Sequence, residues 1–228
     1  MPLDRARIRA VLFDVDGTLR DTDDEIVARL TLLLRPFQRA LPQGDAQRSA
    51  RRLVMGLERP TQRCLQALDW SGADRPVHSL ATRLGGLRRR RSTEPIPGVI
   101  EMMHELRASY PLAIVSAGPH AAVDRFLGEH GLGDLFSAVV TGLTCRRTKP
   151  HAEPVEWAAR ALGLAARECV LVGDTTVDMH SAARAGAQSV GVLCGFGERV
   201  ELERAGADAI LVSTSGLVGL LREPVATA

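Results

Sequence analysis

The sequence predicts an α/β protein: a parallel-sheet core interrupted near its start by an inserted all-helical segment. Three observations lead there. Short apolar runs alternate with helix-patterned segments along most of the chain. Gly or Asp closes nearly every apolar run, at the point where a buried parallel strand gives way to its crossover helix. Residues 20–93 break the alternation, with helical patterning and no convincing strand.

The strand-like runs are, in order, ARIRAVLFDVDG, PLAIVSAG, FSAVVTGL, RECVLVGD, QSVGVLCGFG and ADAILVS. Their apolar stretches are short and rich in the Val, Ile and Leu of strands buried on both faces. Helical patterning covers residues 98–109, 119–131, 153–163, 176–186, 198–205 and 215–222. Within 20–93, helical pieces fall at about 23–40, 46–58, 61–69 and 77–91. Asp21-Thr22-Asp23 supplies caps and first-turn acids for the first piece, and Pro36 bends or ends it early. Pro95, Pro97 and Gly98 mark the return to the alternating pattern. The expected organisation is residues 1–19 with 94–228 as the α/β core, and 20–93 as a helical domain.

With 228 residues, 45% hydrophobic and 25% charged, the chain can bury a core and is not expected to be disordered. Aromatics at 4% leave few platforms for stacking bases, so nucleic acid is not an expected partner. Arg88-Arg89-Arg90-Arg91 reads as a solvated helix face. No run approaches the ~18 apolar residues of a membrane span, and the N-terminal apolar run is too short for a signal peptide. Cys64, Cys145, Cys169 and Cys194 lack CxxC spacing and read as reduced thiols of a cytoplasmic protein. His104, His120 and His151 show no ligand spacing, and Trp70 and Trp157 read as packing residues. The net charge of +2 hides an asymmetry: residues 20–93 carry a balance of +7 and the remainder −5. Lys149 is the single lysine against 28 arginines.

In open parallel sheets, active sites lie at the carboxyl ends of strands. Four polar groups fall there: Asp14-Val15-Asp16-Gly17-Thr18-Leu19, Ser116-Ala117-Gly118, Lys149-Pro150, and Gly173-Asp174 with Asp178. Each alone has an ordinary reading as a turn, cap or surface residue; together, in this order, they have complementary chemistry. A carboxylate can attack phosphorus and split one hard displacement into two easier ones. Because the attacked group is already anionic, cations must stand beside that carboxylate. Mg2+ prefers hard oxygen ligands, which Asp14, Asp174 and the backbone carbonyl near Asp16 can supply. Lys149 adds a compact positive charge. Ser116 and the amides of Ala117 and Gly118 can donate to the transferring oxygens. Asp16 can protonate the leaving alkoxide and then deprotonate the hydrolytic water. Gly17 permits the tight turn that brings both carboxylates to one phosphate.

These four groups resemble the four motifs of the haloacid dehalogenase superfamily, over about residues 9–215. The resemblance implies a Rossmann-like core with a cap, and residues 20–93 resemble the helical cap of the phosphoglycolate phosphatase-like branch. Asp21-Thr22 and Lys149-Pro150-His151-Ala152-Glu153-Pro154 are similar to that branch as well. It implies Asp14 as nucleophile, Asp16 as general acid/base, and Ser116 and Lys149 as phosphate binders. It further implies Mg2+ on Asp14, the Asp16 carbonyl and Asp174, with Asp178 as a supporting acid.

Within the superfamily, dehalogenases lack the second acid that Asp16 supplies here. Phosphonate hydrolases use a cap lysine, and residues 20–93 contain none. Sugar-phosphate mutases usually carry Glu-Asp where this chain has Gly173-Asp174, which favours hydrolysis. The expected function is hydrolysis of a small phosphorylated metabolite, phosphoglycolate first. A sugar-phosphate phosphatase or beta-phosphoglucomutase-like enzyme is the alternative. A phosphometabolite sensor is the non-enzyme alternative, against which stands the presence of both acids. Arg20 departs from the family pattern, where an apolar residue is common, and is expected to put a basic group beside the site mouth. In the turn Met55-Gly56-Leu57-Glu58-Arg59-Pro60, Arg59 is the expected contact to a second anionic group of the substrate.

Overall fold

The computed structural model describes residues 3–21, 30–40 and 94–222. The chain divides into two compact units, Met1–Asp21 with Thr93–Ala228, and Thr22–Ser92.

The first unit is built on a six-stranded sheet: β1 Ala10–Phe13, β2 Leu112–Val115, β3 Phe136–Val140, β4 Cys169–Gly173, β5 Gln188–Val192 and β6 Ala209–Leu211. Every pairing is parallel and the strand order is β3-β2-β1-β4-β5-β6. Each of the six apolar runs thus supplies one strand. The helices of this unit are α1 Val99–Arg107, α2 His120–Glu129, α3 Glu153–Ala161, α4 Thr176–Ala185, α5 Arg199–Arg204 and α6 Leu217–Arg222.

Side chains alternate across the sheet, so the central strands feed two apolar layers. Val11 and Phe13 of β1 and Val170 and Val172 of β4 pack with Met102, Met103 and Leu106 of α1, Val123 and Phe126 of α2, and Leu217 of α6. Ala10, Leu12, Ala113, Val115 and Leu171 face the other way, onto Val155, Ala158 and Ala159 of α3 and Ala182 of α4. The small residues of that second layer let α3 and α4 lie close. Trp157, expected to pack, is instead 36% exposed. It stands about half a helical turn from the inward-facing Val155, Ala158 and Ala159 of α3.

The strand order places the functional crevice. From β1 the chain runs outward on one side through β2 and β3, then crosses to β4 and runs outward on the other. At such a reversal the connections after β1 and β4 leave in opposite directions and open a cleft at the carboxyl ends of those strands.

Arg20 and Asp21 belong to the first unit, where Arg20 bridges both Asp16 and Pro95 and the Asp21 amide donates to the Glu94 carbonyl at 2.9 Å. In the second unit, residues 30–34 are α-helical and Arg35–Ala40 form a 3-10 helix. Pro36, which lacks an amide hydrogen, sits where the α-helix ends. The remaining helical pieces of 20–93, with Arg59, Cys64, Trp70 and Arg88–Arg91, lie outside the described residues. Cys145, Cys169 and Cys194 are free thiols, and burial pushes those of Cys145 and Cys169 up to about 11. No helix among the described residues is long and apolar enough to cross a membrane.

Candidate active site

β1 delivers Asp14 to the centre of the cleft. Its amide donates to the Val172 carbonyl of β4 at 2.9 Å, and the residue is 7% exposed. The following turn closes on one acceptor: the amides of Leu19 and Arg20 donate to the Val15 carbonyl at 2.9 and 3.0 Å. Gly17 takes a positive φ of 77°, and a Cβ there would stand 2.4 Å from Asp174 Oδ2. Only glycine lets this turn press against the end of β4.

β4 supplies Asp174, and the first turn of α4 supplies Asp178; both are fully buried. Lys149 Nζ lies 2.8 Å from Asp14 Oδ1 and donates to Asp178 Oδ1 at 2.6 Å, and the Lys149–Pro150 peptide is cis. The other Asp178 oxygen accepts from the Thr175 amide at 3.1 Å and its hydroxyl at 2.6 Å. Asp174 Oδ2 accepts from the Phe196 amide at 2.8 Å, in the loop after β5.

One oxygen from each of Asp14, Asp174 and Asp178 lies within 4.8 Å of the others. Three buried carboxylates thus share one ammonium. Burial, with the charges of Asp178 and Asp16, raises the Asp14 carboxyl to about 7 against the pull of Lys149. Burial, with Asp178 and Asp14, likewise holds Asp174 well above the usual carboxylate range. Burial works to lower the Lys149 pKa, but Asp14 and Asp178 outweigh it and raise it. Three carboxylates crowded beside one ammonium would ionise together only with further positive charge, and their donors are hard oxygens, which fits a divalent cation such as Mg2+. Asp178 has both oxygens committed, to Lys149 and to Thr175. Asp174 accepts from the Phe196 amide on Oδ2 and, at 3.4 Å, from the Thr18 hydroxyl on Oδ1, so Asp14 and Asp174 could hold such a cation while Asp178, tied by two contacts of 2.6 Å, orients Lys149.

β2 ends in Ser116, 4% exposed, whose amide donates to the Val140 carbonyl at 2.9 Å. The Gly118 amide, expected to face substrate oxygens, donates here to Ser116 Oγ at 3.0 Å. A Cβ on Gly118 would stand 3.2 Å from that oxygen and 3.4 Å from Asp16 Oδ2. Gly118 thus leaves open a space that Ser116 and Asp16 both border. Ala117 is exposed beside it.

Arg20 does not sit at the mouth of the site as an exposed base. It is 1% exposed, donates from Nε to Asp16 Oδ1 at 2.8 Å, and its Nη2 lies 2.6 Å from the same oxygen. The carboxylate of Asp16 draws the guanidinium inward, and the Ala122 carbonyl and Phe126 ring of α2 receive it. Sequence reasoning also passed over the loop after β5. A Cβ on Gly195 would stand 2.1 Å from Asp174 Oδ2, and one on Gly197 2.0 Å from the Asp174 carbonyl oxygen. The available signal was the Gly-Phe-Gly that closes the fifth apolar run.

The model of the haloacid dehalogenase-like hydrolase family matches residues 11–192. The chain belongs to that family. Among its relatives, the phosphoglycolate phosphatase of Pectobacterium atrosepticum is 30% identical over 210 residues, covering 86% of this chain and 86% of that protein. The Escherichia coli K12 phosphoglycolate phosphatase is 28% identical over 95% of this chain and 94% of that protein. Among solved structures, a haloacid dehalogenase-like hydrolase from Streptococcus pneumoniae superposes with a TM-score of 0.63 at 25% identity. That match covers 95% of this chain and 100% of the other.

Proposed function

We propose that this family member is a Mg2+-dependent phosphatase acting on small phosphorylated metabolites through an aspartyl-phosphate on Asp14, with phosphoglycolate as the first substrate to try. The observation that carries this reading is the buried Asp14–Lys149–Asp178 array beside Asp174, at the carboxyl ends of β1 and β4. The relatives named phosphoglycolate phosphatase support the hydrolysis of phosphoric monoesters and this choice of substrate.

Asp14 attacks the substrate phosphorus; the bond to the leaving oxygen breaks, and Asp16 gives that oxygen a proton. Asp16 then takes a proton from the water that attacks the phosphorylated Asp14. The bond between phosphorus and the Asp14 oxygen breaks, releasing inorganic phosphate and restoring Asp14 as a carboxylate and Asp16 as a protonated acid. Lys149 and Ser116, with the Ala117 amide, face the transferring oxygens, while Asp178 keeps Lys149 in place. A divalent cation held by Asp14, Asp174 and the Asp16 carbonyl would neutralise charge between nucleophile and phosphate. Asp14, raised to about 7 without it, would then be ionised and nucleophilic at neutral pH.

Hydrolysis is favoured over a mutase by Gly173. A Cβ at that position would stand 2.4 Å from Asp178 Cγ, so Asp178 occupies the space that a larger residue there needs. Substrate discrimination falls to residues 20–93, with Arg59 as the first position to test. A generic aryl phosphate and a panel of phosphometabolites, assayed with and without Mg2+, test the reading. Asp14→Asn is expected to lose turnover by at least about a thousandfold, and to lose the phosphate mimic that fluoroberyllate forms on wild type. Substantial turnover by Asp14→Asn overturns the mechanism.

A further inference from the structure

Arg20 is one of the largest fully buried side chains of the described residues. Burying a guanidinium costs several kcal/mol, and replacing a buried ion pair with apolar residues is commonly neutral or stabilising. Packing alone therefore does not account for an arginine here. Its contacts do. Nε and Nη2 both approach Asp16 Oδ1, at 2.8 and 2.6 Å. Nη1 donates to the Ala122 carbonyl at 3.1 Å, and the guanidinium carbon stands 5.9 Å from the centre of the Phe126 ring. Ala122 and Phe126 belong to α2, the helix that follows Ser116-Ala117-Gly118. At its other end, the Arg20 backbone closes the turn after β1: its amide donates to the Val15 carbonyl and its carbonyl accepts from Gly17.

We infer that Arg20 is the positioning residue of Asp16: it clamps Oδ1 and thereby presents Oδ2 to the Ser116–Gly118 loop. This rests on the reading of Asp16 as the acid that serves the leaving group. The Oδ2 atom stands 3.4 Å from where a Gly118 Cβ would be, and Ser116 Oγ stands 3.2 Å from the same point. Rotating the carboxylate away would break the charge-assisted Nε hydrogen bond and the Nη2 ion-pair contact at once. Tying the clamp to α2 also keeps the acid in register with the loop after β2, which carries the oxygens' expected donors.

The test uses the full chain and compares alkyl with aryl phosphate esters. Only a poor leaving group needs protonation, so the ratio of alkyl to aryl kcat reads Asp16 placement and is insensitive to a general loss of folded enzyme. Arg20→Leu is expected to lower that ratio by about tenfold to a hundredfold, the range that a misplacement near 1 Å produces. Arg20→Lys keeps the charge but cannot engage Oδ1 through two nitrogens, so its ratio is expected between wild type and Leu. In an Asp16→Ala background, adding Arg20→Leu should change the ratio no further. A wild-type ratio in either folded Arg20 variant, or equal losses on both esters, overturns the inference. If Arg20→Leu does not fold, the Lys variant decides by the same criterion. If Asp16→Ala itself leaves the ratio unchanged, the acid assignment fails and the inference falls with it. A ratio lowered by Asp16→Ala and unmoved by the Arg20 variants refutes the clamp alone.

Discussion

Lys149 is the one lysine among 29 basic side chains, and its neighbours say why an arginine would not serve. A single nitrogen stands 2.8 Å from Asp14 and 2.6 Å from Asp178, with the side chain almost wholly enclosed. A compact ammonium can sit between two carboxylates; a planar guanidinium is larger and spreads its charge in a fixed fork. Lys149→Arg is therefore expected to fold but to lower kcat by about a hundredfold, the scale of losing one well-aimed charge in a shielded site. Steady-state kinetics beside a circular-dichroism melt check this. Near-normal turnover would mean that charge alone, and not its placement, is what the site needs. Arg20 is the contrasting case. There the planar group spans two elements: Nε hydrogen-bonds Asp16 Oδ1 with Nη2 in ion-pair contact, while Nη1 reaches a carbonyl on α2.

Loops after β1 to β5 make the site, and glycine lets those after β1, β4 and β5 converge. Gly195 bears on the carboxylate itself, since a Cβ would stand 2.1 Å from the Asp174 oxygen that the Phe196 amide holds. Gly195→Ala must push Asp174 or the loop aside. It is expected to raise the Mg2+ concentration for half-maximal activity by about tenfold to a hundredfold, as loss of ligand support commonly does. Titration of activity against Mg2+ measures it, and an unchanged midpoint would sink the role given to the β5 loop. These loops also mark what was legible in the sequence. The strands were legible because nearly every one is an apolar run stopped by Gly or Asp, and three of the run ends hold Asp14, Ser116 and Asp174 with the residues around them. Asp178 was legible beside Gly173-Asp174 in the fourth polar group, and Lys149 by its rarity. The loop after β5 was not, because its contribution to Asp174 is a backbone amide, which every residue carries. Arg20 was misplaced because its partner lies within the same turn and its support lies on α2, about a hundred residues on. Local pattern can mark a charge but cannot say that another element will enclose it. Trp157 failed for the opposite reason: aromatic character suggested burial, while helical phase put it outside.

Over the whole molecule, the buried carboxylates set how stability responds to pH. Asp14 moves from its ordinary 3.8 to about 7, with burial as the first cause, and Asp174 moves in the same direction. A carboxyl raised in the folded state holds a proton that the unfolded chain releases. The folded chain then binds more protons than the unfolded one between about pH 4 and 7, so stability falls as pH rises across that window. The contribution is fully present below the ordinary value and gone above the folded one. Lys149 is raised as well, but its transitions lie far above neutral pH and leave this window alone. In excess chelator the melting temperature should therefore be higher near pH 5.5 than near pH 8. A cation bound by the ionised cluster opposes this trend. At a Mg2+ concentration of 100 times Kd the folded state gains about 2.7 kcal/mol, roughly 5–10 °C for a chain of this length. At pH 5.5, protons compete for the same oxygens and the gain should be smaller. Melting curves at the two pH values, with chelator and with Mg2+, make the full comparison, and Asp174→Asn supplies the control. That variant should lose most of the Mg2+ gain and, with one buried charge fewer, melt higher than wild type in chelator at pH 8. A Mg2+ gain that is equal at both pH values, or that survives in Asp174→Asn, would place the cation elsewhere in the chain.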